Sequence, residues 1–328
     1  MAPEDTPHVQ AYLQPEDLHR ALIADAGAGL IKSPPQLSPM WLYDPAGADL
    51  FDKITELPEY YPTRTERSIL AEHADDVARL TGAQEVIELG SGTSEKTTLL
   101  LDALKAKGTL RRFVAWDVAE PTLRMSLLDL QRRYPKVHVE GVVADFVSDI
   151  RRLPAGEQRM VVFLGGTIGN FDPAGRRRFL SSLRAELHAG EWLLLGTDLV
   201  KDPSRLVAAY DDPAGVTAAF DLNVLSALNH QLGSDFDAAD FAHQAHWDDS
   251  EERIEMRLVA QRDLHTRIDR LDLDFRLAAG AFIRTEISSK FRTERLQEEL
   301  GQAGLETVEV FTDPRRDFAV TLARAGGS

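Results

Sequence analysis

Glu88–Leu89–Gly90–Ser91–Gly92–Thr93 joins a short apolar run, Glu85–Leu89, to a helical pattern. Glycines at a strand-to-helix crossing let the backbone turn tightly and approach a ligand where a Cβ would collide. The spacing departs from G-x-G-x-x-G, because Glu95 stands at the third position, which weakens a pyrophosphate cradle. G-x-G alone also fits a mere tight turn. Two acids follow. Asp117 ends the run Arg112–Asp117, and a carboxylate there can accept from both ribose hydroxyls of an adenosine. Asp145 follows Val137–Val143 and can accept from an adenine amine, with Phe146 covering the ring. Asp117 alone fits a strand-end cap equally well; with the glycine loop, the set points to an adenosine-containing ligand.

Other residues offer polar recognition. Asn170 ends the turn Thr167–Asn170 after the apolar run Met160–Leu164, and its amide can donate and accept, or simply support the turn. Glu286 and Ser288 lie two apart in the strand-like stretch Phe282–Phe291, so both project from one face. They could line a pocket or a solvated face. Met256 fits a pocket wall or core filling. Tyr60 and Tyr210 carry phenolic donors but also suit packed boundary positions.

The elements that must position these residues form a pattern. Apolar runs at 85–89, 112–117, 137–143, 160–164 and 192–195 alternate with helical stretches at 95–107, 121–134 and 176–187. Uniformly apolar strands alternating with helices predict a parallel sheet covered on both faces. Residues 1–80 read as a helical and aromatic segment contributing to a substrate lobe, with Thr63 or Thr65 capping a helix that holds Glu66 in its first turn. Residues 81–200 read as the cofactor-binding α/β core. Residues 201–250 continue the lobe as helix, and 251–328 supply strands and a helix that complete the pocket and the core sheet. The end, Ala325–Ser328, reads as a frayed tail.

Composition excludes several classes. The 328 residues carry 37 Lys and Arg against 53 Asp and Glu, a net charge of −16. Such a surface repels phosphate backbones, so no nucleic-acid partner is expected. The triplet Arg176–Arg177–Arg178 reads as a solvated helix face. With no Cys, disulfides, thiolate metal sites and cysteine nucleophiles are ruled out. The nine histidines form no H-x-x-x-H pattern and read as surface or packing residues, so no metal is expected. No G-x-S-x-G elbow supports a hydrolase. Met1–Gln10 lacks the order of a signal peptide, and the apolar runs are too short to span a bilayer. The expectation is a cytoplasmic protein with no membrane partner and no obligate protein partner.

The glycine loop and strand-end acids resemble those of class I methyltransferases that use S-adenosyl-L-methionine. Longer blocks are more specific: Tyr43–Asp44, Phe51–Glu66, Glu88–Thr97, Phe163–Asn170, Leu195–Asp202, Tyr210–Asp212, Glu251–Met256 and Thr285–Phe291. Across nearly the whole chain these resemble the ergothioneine-pathway L-histidine Nα-methyltransferases. The resemblance implies an α/β fold, a Rossmann-like class I methyltransferase sheet with an additional mostly helical substrate-binding lobe. It also implies three successive methyl transfers to the histidine α-amine, through mono- and dimethylated intermediates, giving hercynine. Tyr60, Asn170 and Tyr210 resemble the group around the substrate carboxylate and amine, and Tyr43 a residue near the amine and cofactor. Glu286 and Ser288 resemble the pair that reads the imidazole, and Phe51 and Met256 the pocket walls. Gly90, Lys96, Asp117, Asp145 and Phe146 resemble cofactor contacts. The chain carries Gly166 where the family often has Ser, and Ser289 where Cys occurs elsewhere; neither change removes a proposed contact.

That chemistry needs positioning of an amine lone pair in line with a sulfur–methyl bond, and a route for one proton per transfer to water or substrate. Other outcomes would be methylation of another small amino acid or amine, or a nonenzymatic cofactor-binding scaffold.

Overall fold

A computed structural model of the chain describes residues 7–327. The residues of the N-terminal reading that precede Pro7, and Ser328 of the tail reading, lie outside them. The elements run β1 (His8–Ala11), α1 (Pro15–Gly29), α2 (Pro45–Glu56), α3 (Pro62–Thr81), β2 (Glu85–Leu89), α4 (Thr97–Lys107), β3 (Arg112–Asp117), α5 (Glu120–Arg133) and β4 (His138–Val143). They continue with β5 (Arg159–Phe163), α6 (Pro173–Glu186), β6 (Trp192–Asp198), α7 (Pro203–Tyr210), α8 (Val216–Leu232), β7 (Phe241–Asp248) and β8 (Arg253–Ala260). The last are β9 (Leu264–Ile268), β10 (Leu273–Leu277), β11 (Phe282–Ser289), α9 (Thr293–Gln302), β12 (Leu305–Thr312) and β13 (Phe318–Ala325).

Two compact units result. Among the described residues, the first comprises 7–13, 64–199 and 291–327; the second comprises 14–63 and 200–290. The first passage into the second unit therefore precedes α1, and the return falls inside α3 rather than at residue 80.

The first unit is an eight-stranded sheet in the order β1-β4-β3-β2-β5-β6-β13-β12. From β1 to β6 neighbouring strands are parallel, and β13 is antiparallel to both β6 and β12. This is the expected Rossmann-like class I methyltransferase sheet. The chain winds outward from β2 to β4 and returns to β5 on the other side, so strand order reverses between β2 and β5. Ligands bind beyond the carboxyl ends of the strands at such a switch point. Two apolar clusters, around Phe113 and Leu100 and around Trp116 and Phe163, cover the sheet.

The second unit has its own core, in which Leu22 and Leu42 pack with Phe220, Leu228, Met256 and Ile283. Helices dominate its early segments, but it also holds a three-stranded antiparallel sheet, β11-β8-β7, and the β9–β10 hairpin. Residues 241–248 are thus a strand, not the helix expected there. Phe241 and Ala245 are both buried, and a separation of four fits one face of a strand as well as one of a helix.

Other readings also change. Helix α3 begins at Pro62, so Thr63 and Thr65 lie within it and do not cap it. Arg176 is only 7% exposed; its guanidinium pairs with Glu299 at 2.6 Å and lies over the Phe291 ring, while Arg177 and Arg178 are the solvated pair. Ala325 is a buried strand end rather than tail, and the Gly326 carbonyl accepts from Arg184 at 2.6 Å. Among the described residues no helix is long and apolar enough to cross a membrane.

Candidate active site

In the first unit, the expected cofactor residues gather at the carboxyl ends of the strands. Gly90 and Gly92 have φ of +68° and +48°, in the region where glycine escapes the Cβ penalty. Asp117 closes the loop: its carboxylate accepts from Gly92 N–H at 2.8 Å and from Ala119 N–H at 2.9 Å. It is a strand-end cap, and each oxygen keeps a further lone pair that a ribose hydroxyl can use. Asp145 accepts from Val147 N–H at 2.9 Å and Ser148 N–H at 3.3 Å, so it shapes the turn after β4. Phe146 packs edge-on to Phe163 and lies against the glycine turn, where a Cβ on Gly90 would be 3.6 Å from its ring.

Lys96, which resembles a cofactor contact, also has a protein partner. Its ammonium pairs with Glu66, which is fully buried and also accepts from Gly165 N–H at 2.9 Å. Glu66, expected only as a first-turn acid, therefore ties α3 to the glycine loop and to the loop after β5. Gly165 and Gly166 both have positive φ, +79° and +72°, and lead into a short 3-10 turn, Thr167–Asn170. Asn170 ends that turn half-buried.

The Ser91 hydroxyl is buried with no protein partner, and one Glu88 carboxyl oxygen and the Ser94 hydroxyl are buried with no partner but each other. Burial pushes the Glu88 pKa up to about 7, against the lowering influence of the Thr97 hydroxyl and the Lys96 charge. A loop open at its glycines and lined by these buried polar atoms fits a polar adenosine-bearing cofactor.

In the second unit, an aromatic chain carries the expected substrate residues. Tyr43 and Phe51 have ring centroids 5.3 Å apart, Phe51 and Tyr60 6.1 Å, and Tyr60 and Tyr210 6.1 Å. Asp44 starts α2 by accepting from Gly47 N–H at 2.8 Å and also takes Asn223 of α8 at 2.7 Å. Tyr43 keeps 37% of its surface exposed, yet its phenol is crowded by protein. Desolvation, then the Glu286 charge and the neighbouring tyrosines, raise its pKa well above the ordinary phenol value. It stays protonated near neutral pH, so its hydroxyl can donate a hydrogen bond.

Glu286 and Ser288 share a face of β11, and a bulge makes it the buried one. Arg284 pairs with Arg257 but Glu286 pairs with Met256, leaving Thr285 as the extra residue. Burial follows odd positions, Ile283 and Thr285, up to the bulge; beyond it Glu286 and Ser288 are buried and Ile287 between them is not, before the strand end at Ser289 is buried too. One inserted residue shifts every later side chain to the other face. Met256 stands directly across from Glu286.

Tyr210, the last residue of α7, brings its hydroxyl within 2.8 Å of Ser288 Oγ. Lys290, given no role from sequence, donates to Tyr210 Oη at 2.9 Å and to Ser288 Oγ at 2.8 Å. An ammonium only donates, so both oxygens accept from it. One hydroxyl proton serves the Tyr210–Ser288 contact, and the other must be donated outside this triangle. His243, expected among surface or packing histidines, is instead a buried partner of Asp221 at 2.7 Å and of the Tyr210 carbonyl at 2.8 Å. Among the described residues no cluster of three or more metal-ligating side chains occurs.

The comparisons with known proteins agree in direction. The family described as "Histidine-specific methyltransferase, SAM-dependent" matches residues 22–325. The chain is 49% identical over 312 residues to "Histidine N-alpha-methyltransferase" of Mycolicibacterium smegmatis, covering 95% of this chain and 97% of that one. It is 48% identical over 305 residues to the protein of that name from Mycobacterium tuberculosis, covering 93% and 95%. It is also 34% identical over 226 residues to "Ergothioneine biosynthesis protein 1" of Schizosaccharomyces pombe, covering 65% of this chain and 29% of that one. With a family match that runs through both units and relatives alike over almost their full length, the chain belongs to the S-adenosylmethionine-dependent, histidine-specific methyltransferases.

Proposed function

We propose that the protein methylates the α-amine of L-histidine three times, giving hercynine in ergothioneine biosynthesis. The likeness to the two mycobacterial histidine N-alpha-methyltransferases over nearly the whole chain carries this reading. S-adenosylmethionine, when bound, supplies a methyl group already activated on a sulfonium. The protein's own task is to orient an amine and exclude competitors. The Gly90–Gly92 loop, Glu88 and Asp117 would hold the cofactor. Asn170, Tyr60 and Tyr210 would grip the substrate carboxylate and amine by neutral donors and acceptors.

Glu286 would accept an imidazole N–H, with Ser288 beside it and Met256 across from it as an apolar wall. The amine enters as an ammonium, so each transfer releases one proton, which passes to water. Bonds to the amine decrease as its hydrogens are replaced. Anchoring through carboxylate and imidazole therefore keeps the mono- and dimethylated intermediates in register.

Mass spectrometry of histidine incubated with protein and S-adenosylmethionine tests the reading. One, two and three methyl additions on the α-nitrogen are expected; additions only on another amine, or binding without additions, would overturn it. Replacing Glu286 by Ala is expected to lower histidine turnover and to relax selection towards larger apolar side chains. Competition between histidine and tryptophan measures this, and an unchanged preference would remove Glu286 from the pocket.

A further inference from the structure

The side chains of His243 and Asp221 are 1% and 0% exposed, and the proposed chemistry uses neither. Their hydrogen bonds are informative because one partner has a fixed role. A backbone carbonyl only accepts, so Nε2, 2.8 Å from the Tyr210 oxygen, must carry a proton. Nδ1 stands 2.7 Å from Asp221 Oδ2, and one proton lies between them. The Thr285 hydroxyl lies between the other Asp221 oxygen and the Met256 carbonyl, 3.1 Å away; the contact with Asp221 is the shorter, and donation there favours the carboxylate. The proton therefore belongs to Nδ1, and the ring is an imidazolium donating from both nitrogens. Thr285 is the bulge residue of β11, and Tyr210 ends α7.

We propose that His243 is a positioning residue: as an imidazolium joined to Asp221, it fixes the Tyr210 main chain and, through the same carboxylate, the Thr285 bulge that turns Glu286 and Ser288 to the buried face. The proposal rests on the reading of those residues as the substrate cluster. The groups around the ring are consistent with a charge. Asp221 faces it from α8, the Tyr210 carbonyl and the Asp211 charge from the end of α7, and apolar Leu258 is its register partner on β8. Burial pulls the ring's pKa down, but the Asp221 bond and charge, the Tyr210 carbonyl and Asp211 hold it above the ordinary histidine value. The sign follows: the lock is complete below that raised pKa, and it loosens as pH rises through it, when the ring must surrender one of its two protons.

Two measurements test this on the full-length protein. Nitrogen NMR of the unsubstituted protein labelled in its histidines, with ring signals linked to their own backbones, reads protonation without any variant. Protons on both His243 nitrogens near neutral pH are expected; a bare Nδ1, with the proton on Asp221, would overturn the proposal. The second measurement compares histidine KM and kcat against pH for the parent, His243→Gln and Asp221→Asn. Loss of a charge-assisted anchor is expected to raise KM on the order of tenfold, with a smaller effect on kcat and unchanged affinity for S-adenosylhomocysteine. The ratio of parent to His243→Gln cancels the substrate's own titration and should retain a rise in parent KM at alkaline pH. In Asp221→Asn that rise should move to lower pH, which loss of packing alone would not do.

Tyr210→Phe and Glu286→Gln are the controls. If they raise KM and His243→Gln does not, the positioning role is wrong; if none of them does, the substrate cluster is wrong and the proposal falls with it.

Discussion

The Lys290 ammonium sets the direction of hydrogen bonding at Tyr210 and Ser288, because it can only donate. Replacing it by Met frees both oxygens to turn their protons inward, and the pair no longer presents a defined donor. The expected result is a rise in histidine KM of several-fold to about tenfold, the cost of a bond to a charged group. Kinetics of Lys290→Met and Lys290→Arg check this, and parent-like KM in Lys290→Met would remove the role. Lys290 lies inside a block that resembles the family, yet nothing local marks its function, since Tyr210 is 80 positions away. Glu88 shows the opposite case, a motif residue whose ionisation only the fold reveals. Its pKa rises from 4.5 to about 7 on burial, so the folded state binds the extra proton between those values. The Glu88 contribution to stability therefore falls as pH rises across that window and levels off above it, by on the order of 3 kcal/mol. Denaturant unfolding of parent and Glu88→Gln at pH values either side of the window should show the decline only in the parent.

At the scale of elements, the bulge at Thr285 decides what β11 presents. The i, i+2 spacing of Glu286 and Ser288 placed them on one face from sequence alone. That this is the buried face depends on an inserted residue opposite β8, and the pairing partner is not legible in the strand's own residues. Deleting Thr285 should return the strand to simple alternation with Glu286 and Ser288 still in phase with buried Ile283, so the deletion removes the bulge without changing the face they occupy. Calorimetry should then show histidine binding weakened by loss of the Thr285–Asp221 bond but retained, with S-adenosylhomocysteine binding unchanged; histidine binding abolished would mean that the bulge itself, and not only the face, is required. The Glu66 clasp was equally hidden, because Glu66 sits on α3 while its partners, Lys96 and the Gly165 N–H, come from the end of the glycine loop and the loop after β5. Gly196 on β6 leaves room for it, as a Cβ there would lie 2.0 Å from a Glu66 carboxylate oxygen. Gly196→Ala should displace that carboxylate and cost about 1–3 kcal/mol, read as a lowered thermal midpoint.

The molecule as a whole divides in a way that local periodicity does not show. Apolar runs revealed the strands of the parallel sheet, and the Gly90 loop marked its ligand edge, because each is a signal within a few adjacent residues. The division into units joins segments far apart: Leu22 of α1 shares a core with Ile283 of β11, while β1 pairs in parallel with β4. Each unit has its own apolar core, and each carries a different part of the proposed chemistry. The cofactor candidates Gly90, Lys96, Asp117, Asp145 and Phe146 belong to the first, as does Asn170; Tyr43, Phe51, Tyr60, Tyr210, Met256, Glu286 and Ser288 belong to the second. Hydrogen exchange should separate the two ligands accordingly, since protection reports local opening around a bound group. S-adenosylhomocysteine alone should slow exchange at the glycine loop and the turn after β4. Histidine added next should slow it around Tyr210 and along β11. Protection by histidine confined to the glycine loop, with β11 unchanged, would place the substrate elsewhere and overturn the assignment of Glu286 and Ser288.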